Sequence, residues 1–303
     1  MGVHAHPRGL HQPLQGGQEG ATVTVEPLLC GEWRLPPNFL EKAEGRLWKL
    51  RYYGIGVPKS SWQWVPLPAF LIRHPVAGPI LVDTGMHPSV ATDPKQNLGR
   101  LVTALTEIRV KPEQVLSQQL RERGIDRAQI DLVLLTHLHY DHASGISEFP
   151  GATFVVSEAE WEAATTVSRP ALHGYRLSHF DFAFDYRTVD FTRPAIGSYA
   201  TFGRAFDLFG DGSLRLIHTP GHTPGHYSVI ARLSGGRELL IAGDAIYTIA
   251  QLEGGPEPPM PWDRRLWRRS LQELQLYKKE RPEAAIIAGH DIHQWSLFGR
   301  KFE

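Results

Sequence analysis

The stretch Thr136-His137-Leu138-His139-Tyr140-Asp141-His142 packs three histidines and an aspartate into six positions, directly behind the apolar run Ile130-Asp131-Leu132-Val133-Leu134-Leu135. That run is short, branched and almost wholly apolar, the composition of a strand buried on both faces. The polar cluster therefore sits where a central strand ends. Side chains repeat every two residues along extended chain, so His137 and His139 point the same way and can grip one ion. Once the chain turns, Asp141 and His142 can swing to a second ion beside the first. Imidazole and carboxylate together suit zinc and similar first-row metals. A solvated loop could collect histidines by chance, since the chain has 15 of them. Chance gives no reason for such a cluster to cap a buried strand, nor for matching residues at later strand ends.

Those matches are present. Residues 214–217 read as a strand running into His218-Thr219-Pro220-Gly221-His222-Thr223-Pro224-Gly225-His226, where Pro and Gly hold a fixed turn that presents an imidazole rigidly. Residues 227–233 return as a strand and hairpin through Gly235-Gly236 into an apolar strand that ends at Asp244. The last strand, 284–288, ends in Gly289-His290-Asp291. Upstream, Gly78-Pro79-Ile80-Leu81-Val82-Asp83-Thr84-Gly85-Met86 is a turn, a buried strand and a second turn. Asp83 there could accept a hydrogen bond from the free ring nitrogen of a metal-bound histidine. Taken alone it reads as an ordinary turn aspartate.

The 303 residues suffice for two average domains or one large layered α/β domain. Apolar residues make up 42% and charged residues 21%, as in ordinary globular proteins. Lys plus Arg and Asp plus Glu both number 32, which argues against a polyanionic partner such as nucleic acid and for a small, weakly charged or neutral substrate. Cys30 is the only cysteine, so there is neither an internal disulfide nor a thiolate metal cluster. Residues 1–21, rich in Gly, His, Gln and Pro, lack the apolar segment of a signal peptide or membrane anchor and read as a disordered tail. The expectation is a cytoplasmic protein with no membrane partner, and 22–303 as a single domain. A homodimer through the aromatic loops is the one assembly considered.

Elsewhere, 22–28 reads as a strand and 62–73, with Pro66 and Pro68, as an edge strand. Between them, 30–61 is an aromatic loop whose bland reading is surface packing, the reading preferred here, and whose functional one is a wall of a substrate pocket. Helices are expected over 96–108, with Leu101, Leu105 and Ile108 as a core stripe, and over 112–123. A strand over 152–156 leads to a capping box in which Ser157 and Glu160 open a helix through Ala164. Residues 165–208 read as an aromatic-rich insertion, with Phe180, Phe182 and Phe184 forming either one face of a strand or part of a lid. After Pro261 a helix places Trp267, Leu271 and Leu274 on one face and Arg265, Arg268 and Arg269 toward solvent. Two β-rich halves packed face to face, helices outside, would bring the ligands to one edge.

His137-Leu138-His139-Tyr140-Asp141-His142, followed by His222, Asp244 and His290, resembles the full metal signature of the metallo-β-lactamase superfamily over roughly residues 22–302. The resemblance implies an α/β fold, a four-layer αβ/βα sandwich of two mixed β-sheets with helices on the outer faces. It implies a dinuclear centre in which His137, His139 and His222 bind one metal, Asp141, His142 and His290 the other, and Asp244 bridges them. Zinc is the first choice of metal, with iron, cobalt or manganese as alternatives. His218 and His226 fall outside the ligand set on this reading.

Within the superfamily the sequence is similar to N-acyl-homoserine lactonases, the quorum-quenching enzymes, in the 78–86 stretch, in Asp244-Ala245-Ile246-Tyr247 and in Gly289-His290-Asp291. This likeness implies that a hydroxide held between two metals opens a lactone ring, that Tyr247 contacts the lactone, and that Asp141 carries the proton to the leaving oxygen. Other hydrolases on the same scaffold are the alternative: a thioesterase of the glyoxalase II kind, an arylesterase or a phosphotriesterase. A metal-binding protein without catalysis is the reading from outside the enzymes, and the intact ligand set argues against it.

Overall fold

The structure, a computed structural model, describes residues 3–297 and 301–303. Its first sheet holds β1 (Arg8–Gly9), β2 (Thr24–Leu35), β3 (Gln63–His74), β4 (Gly78–Val82), β5 (Glu107–Arg109), β6 (Leu132–Leu134), β7 (Thr153–Ser157) and β8 (Asp185–Val189). In space these run β1-β8-β7-β6-β4-β3-β2-β5. The second sheet holds β9 (Gly197–Tyr199), β10 (Phe202–Asp207), β11 (Leu214–His218), β12 (Tyr227–Arg232), β13 (Glu238–Gly243) and β14 (Ala285–Ala288), ordered β14-β13-β12-β11-β10-β9. Both are mixed: β2, β3 and β4 pair antiparallel whereas β4, β6, β7 and β8 pair parallel, and β14 joins antiparallel β12–β13 in parallel.

Period-two alternation sorts the side chains into layers. On β6, Leu132 and Leu134 face the inter-sheet core with Phe70, Ile72, Val82, Leu216, Val229 and Ile241. Val133 and Leu135 face the other way, against Leu116, Leu120 and Trp161 from the outer helices. Leu240 and Ala242 of β13 likewise turn outward onto Leu274 and Tyr277 of the helix Arg264–Glu280. Helix, sheet, sheet and helix therefore make four layers. Each fully buried Leu or Ile contributes about 1.5–3 kcal/mol, and β6 is apolar because both its faces are spent this way.

Several expectations need correction. The N-terminal segment is ordered along the first sheet: β1 pairs parallel with β8, Leu14 N–H donates to the Leu208 carbonyl, and Ala5, Leu10 and Ala21 are buried. Scattered apolar anchors fasten it, a pattern too sparse to show as a periodic element. Nor is 165–208 an insertion, because β8 completes the first sheet and β9 and β10 complete the second. Phe180 is buried in the core with Phe182 and Phe184 packed against it, so this alternation is neither strand nor lid.

β3 is interior rather than an edge, flanked by β2 and β4. Pro66 and Pro68 are tolerated because β4 pairs only with Phe70 to His74, and β2 bulges between Leu29 and Glu32 opposite them. The helix expected over 96–108 breaks at Gly99 (φ 87°) into Pro94–Leu98 and Arg100–Leu105, followed by β5. Leu101 is half exposed and faces a cavity instead of the core. The next helix covers Leu116–Glu122, after a 3-10 turn at Pro112–Gln114. Cys30, at the β2 bulge, is fully buried beneath Gly85, where a Cβ would come 2.2 Å from the cysteine Cβ. Burial pushes its thiol up to about 12.

Candidate metal centre

Every sequence-predicted ligand arrives from a turn at the same end of the two sheets. After Leu135 the chain leaves the first sheet, and Thr136 joins the halves: its N–H donates to Asp83 (2.8 Å), and its carbonyl accepts from Tyr227 N–H (3.1 Å). Alternation persists for a few residues, so Leu138 is buried in the helix-side core while His137 and His139 face the cleft, ring centroids 4.6 Å apart. The short helix Tyr140–Ala143 then turns Asp141 and His142 away from that pair.

His222 stands on a loop that only glycine permits. Gly221 has φ 128°, and a Cβ there would meet the Trp267 backbone nitrogen at 2.2 Å. The loop lies against the start of the helix Arg264–Glu280, with Asp263 N–H donating to the Gly221 carbonyl (3.1 Å). Asp244 follows β13 and His290 follows β14, and His290 N–H donates to the Tyr247 carbonyl (2.9 Å).

The donor atoms form two groups, His137 with His139 and His222, and Asp141 with His142, Asp244 and His290, each within 4.8 Å of one another. In the first, His222 Nε2 lies 3.2 Å from His137 Nε2 and 3.0 Å from His139 Nδ1. In the second, His142 Nε2 and His290 Nε2 lie 3.4 and 3.5 Å from Asp141 Oδ2. Asp244 faces both groups: Oδ2 is 3.3 Å from His222 Nε2, and Oδ1 is 3.4 Å from His142 Nε2.

Most of these imidazoles are anchored by the nitrogen turned away from the cluster. His137 Nδ1 meets Thr136 Oγ1 (3.1 Å), His142 Nδ1 meets Asp83 Oδ2 (2.8 Å), and His290 Nδ1 meets the Pro66 carbonyl (2.9 Å). At His137 the partner fixes the tautomer and leaves an unprotonated nitrogen facing inward. At His142 and His290, against the cost of burial, the neighbouring Asp141 and Asp244 carboxylates raise the ring pKa, well above the ordinary value for His142, so these rings hold a proton that a metal would displace. Burial lowers His139 to about 4 and holds His137 and His222 well below the ordinary histidine range.

The converging lone pairs of His137, His139 and His222 repel one another, while the Asp141 and Asp244 carboxylates beside His142 and His290 call for positive charge; a cation in each group meets both needs. Buried His142 Nε2 and Asp244 Oδ1 also have no hydrogen-bond partner. A donor set of nitrogen and carboxylate oxygen, without thiolate, fits two divalent first-row ions.

The sequence matches the metallo-beta-lactamase superfamily over residues 62–290. The chain belongs to that superfamily. An N-acyl homoserine lactonase, AttM, of Agrobacterium fabrum is 36% identical over 234 residues, 77% of this chain and 85% of the relative. An N-acyl homoserine lactonase of a Bacillus species is 30% identical over 221 residues, 72% of this chain and 78% of the relative. A solved N-acyl homoserine lactone hydrolase, with the product N-hexanoyl-L-homoserine at its catalytic metal centre, superposes with TM-score 0.72 at 22% identity, covering 94% of this chain and 98% of that one. The dizinc quorum-quenching lactonase AidC superposes at 0.62 with 15% identity, covering 93% and 90%. These two likenesses carry the superfamily fold: two mixed sheets with helices outside.

Three residues of the superfamily site were under-read in the sequence. Asp83 is no ordinary turn aspartate: it accepts from Thr136 N–H and Oγ1–H and meets His142 Nδ1, from a backbone at φ 60°. Glu160 sits where a capping box would put it, and Ser157 Oγ does accept from Glu160 N–H (3.2 Å). Its carboxylate, however, does not return to Ser157. Fully buried, it accepts Leu138 N–H (3.0 Å) and Gly225 N–H (3.2 Å), tying the two histidine loops together. His226, outside the two donor groups, accepts Asp244 N–H at Nε2 (3.0 Å) and sets that residue's backbone. The capping box was the only sequence reading of Glu160, and it does not signal the clamp.

The cluster floors a cavity of about 560 Å³, within the range of small-ligand sites. Trp33, Phe39, Trp48, Tyr52 and Tyr53 form one wall, so the 30–61 segment is a pocket wall and not the surface packing preferred from sequence. Leu101, Leu105 and Leu172 contribute others. The Tyr247 hydroxyl stands 3.2 Å from His222 Nδ1 at the floor, and burial raises its pKa well above the ordinary value, so it stays protonated.

Proposed function

We propose that this protein hydrolyses the lactone ring of N-acyl-homoserine lactones, as the names of its AttM and Bacillus relatives suggest, at a centre of two divalent ions, zinc foremost. The observation that carries the reading is the pairing of a charged floor with an apolar enclosure: Tyr247 and the donor cluster lie beneath walls of Trp33, Phe39, Tyr52 and Leu105. A polar ring and an apolar tail fit those two surfaces.

His137, His139 and His222 would hold one ion, Asp141, His142 and His290 the other, and Asp244 both. When bound, such ions supply Lewis acidity that polarises a carbonyl and lowers the pKa of water toward neutrality. The remaining work belongs to the chain. With His222 Nε2 turned inward, its ring proton sits on Nδ1 and donates to the Tyr247 oxygen, leaving the phenol proton free to point into the cleft. That proton strengthens its hydrogen bond as charge develops on the substrate carbonyl. Asp141 takes the proton released as water oxygen bonds to the carbonyl carbon, and delivers it to the ring oxygen as the C–O bond breaks. The products are the acid and the freed hydroxyl.

A glutathione thioester is the second reading: Arg264 at the cavity is already paired with Glu257 (2.6 Å), which leaves exposed Lys49 as the lining cation to meet its carboxylates. Acid release from short- and long-chain lactones, followed by pH-stat with and without chelator, tests the proposal. Chelator-sensitive release is expected. Metal-loaded protein that releases no acid would move the reading to a thioester or phosphoester.

A further inference from the structure

The cavity opens through a rim that is apolar on its outer side as well as its inner one. On the helix Trp48–Tyr52 and its flanks, Trp48 and Tyr52 line the cavity while Leu47 is 62% and Leu50 44% exposed. Across the opening, Leu172 is 60% and Trp262 41% exposed, and both line the cavity. Exposed cations alternate with these groups: Arg46, Lys49 and Arg51 bracket Leu47 and Leu50, and Arg100 precedes half-exposed Leu101; with Lys42 against exposed Glu41 and Glu44, the segment 41–51 carries four cations and two carboxylates. In a chain with no net charge, this is a local concentration.

Large apolar side chains interleaved with Arg and Lys form a surface suited to the headgroup layer of an anionic bilayer. A second copy fits worse. Two-fold pairing would bring together two patches of the same net positive charge, each carrying Arg46, Lys49 and Arg51. No helix among the described residues is long and apolar enough to cross a membrane, so contact would be at the surface. The collar is assembled from separate loops, so no single stretch announces it.

We propose that this rim docks on an anionic lipid surface, holding the cavity mouth against the layer where long-chain amphiphiles partition. The benefit to catalysis rests on the lactonase reading; the docking itself does not.

The test is co-sedimentation of the full chain with vesicles of phosphatidylcholine alone or mixed equally with phosphatidylglycerol. Sedimentation is expected with the mixed vesicles, weakening as salt rises. The double variants Leu47→Glu with Leu50→Glu, and Arg46→Gln with Arg51→Gln, should both lower partitioning, the latter by roughly fivefold per cation removed. None of these four side chains lines the cavity, so both variants should keep the melting temperature and the hydrolysis of a soluble short-chain lactone. Absence of sedimentation on the mixed vesicles, or equal sedimentation of wild type and variants, overturns the proposal. So does light scattering that shows a stable dimer split by the leucine variant, which would give the rim to a second copy. Lost vesicle binding with hydrolysis intact removes only the docking; lost hydrolysis with binding intact removes only the lactonase reading.

Discussion

Glu160 and Leu138 are joined by a 3.0 Å hydrogen bond from the Leu138 N–H to a carboxylate that no water reaches. Its other oxygen holds Gly225 N–H, so a single side chain braces the loop of His137 and His139 against the loop of His222. Glu160→Gln keeps the shape but turns an amide N–H₂ toward one of the two donors. Affinity for the metal at His137, His139 and His222 should fall on the order of 10–100-fold. Chelator titration followed by elemental analysis should show that ion leaving first; equal loss of both would refute the brace.

Asp83→Asn separates charge from backbone. Asn tolerates the left-handed φ of 60° that Asp83 adopts, so the turn should survive. What goes is the carboxylate that orients the His142 ring. Metal binding or activity should drop by about 10–100-fold with far-UV circular dichroism unchanged.

On the proposed reading Tyr247→Phe removes a donor to the charge developing on the substrate, and its cost should appear in kcat, by about 100-fold, with little change in KM or metal content. Metal loss from this variant would mean that the hydroxyl serves the His222 ring instead of the substrate.

Acid should weaken the fold through histidines outside the centre. Burial depresses His179 and His218 to about 4 from an ordinary 6.5. Between those values the unfolded chain binds more protons, so the stability present above pH 6.5 is lost as pH falls toward 4. Thermal melting of metal-free protein over this interval should show Tm falling with pH, with the depressed His137, His139 and His222 adding to the slope, so the share of His218 is read as the difference between wild type and variant. His218→Asn, which keeps a polar ring-sized group beside Phe191 but cannot titrate, should flatten that slope.

The seven donor residues that the structure gathers into two groups were legible because histidine and aspartate directly behind apolar strands are chemically conspicuous, and each strand end could be read from its own few residues. Glu160 was not. Its partners lie 22 and 65 positions away, and no local pattern encodes that approach. β8 was hidden for a different reason: Asp185, Arg187 and Thr188 give it the composition of a loop, and its place is set by pairing with β7. The 30–61 wall was underestimated because aromatic residues among Pro and Gly look alike whether they cover a surface or line a cavity.

Cys30, sealed under Gly85, gives the protein a built-in clock. A buried thiol whose pKa burial pushes up to about 12 cannot react with a disulfide reagent in the native state, so every labelling event records a local opening of the packing around Cys30, where the Gly85 turn covers it on one side and Leu116 and Leu120 belong to the same core. The same turn carries the aspartate that orients His142. If bound metal slows the labelling, the opening that exposes Cys30 includes that turn, and the rate then times how often the floor of the site comes apart.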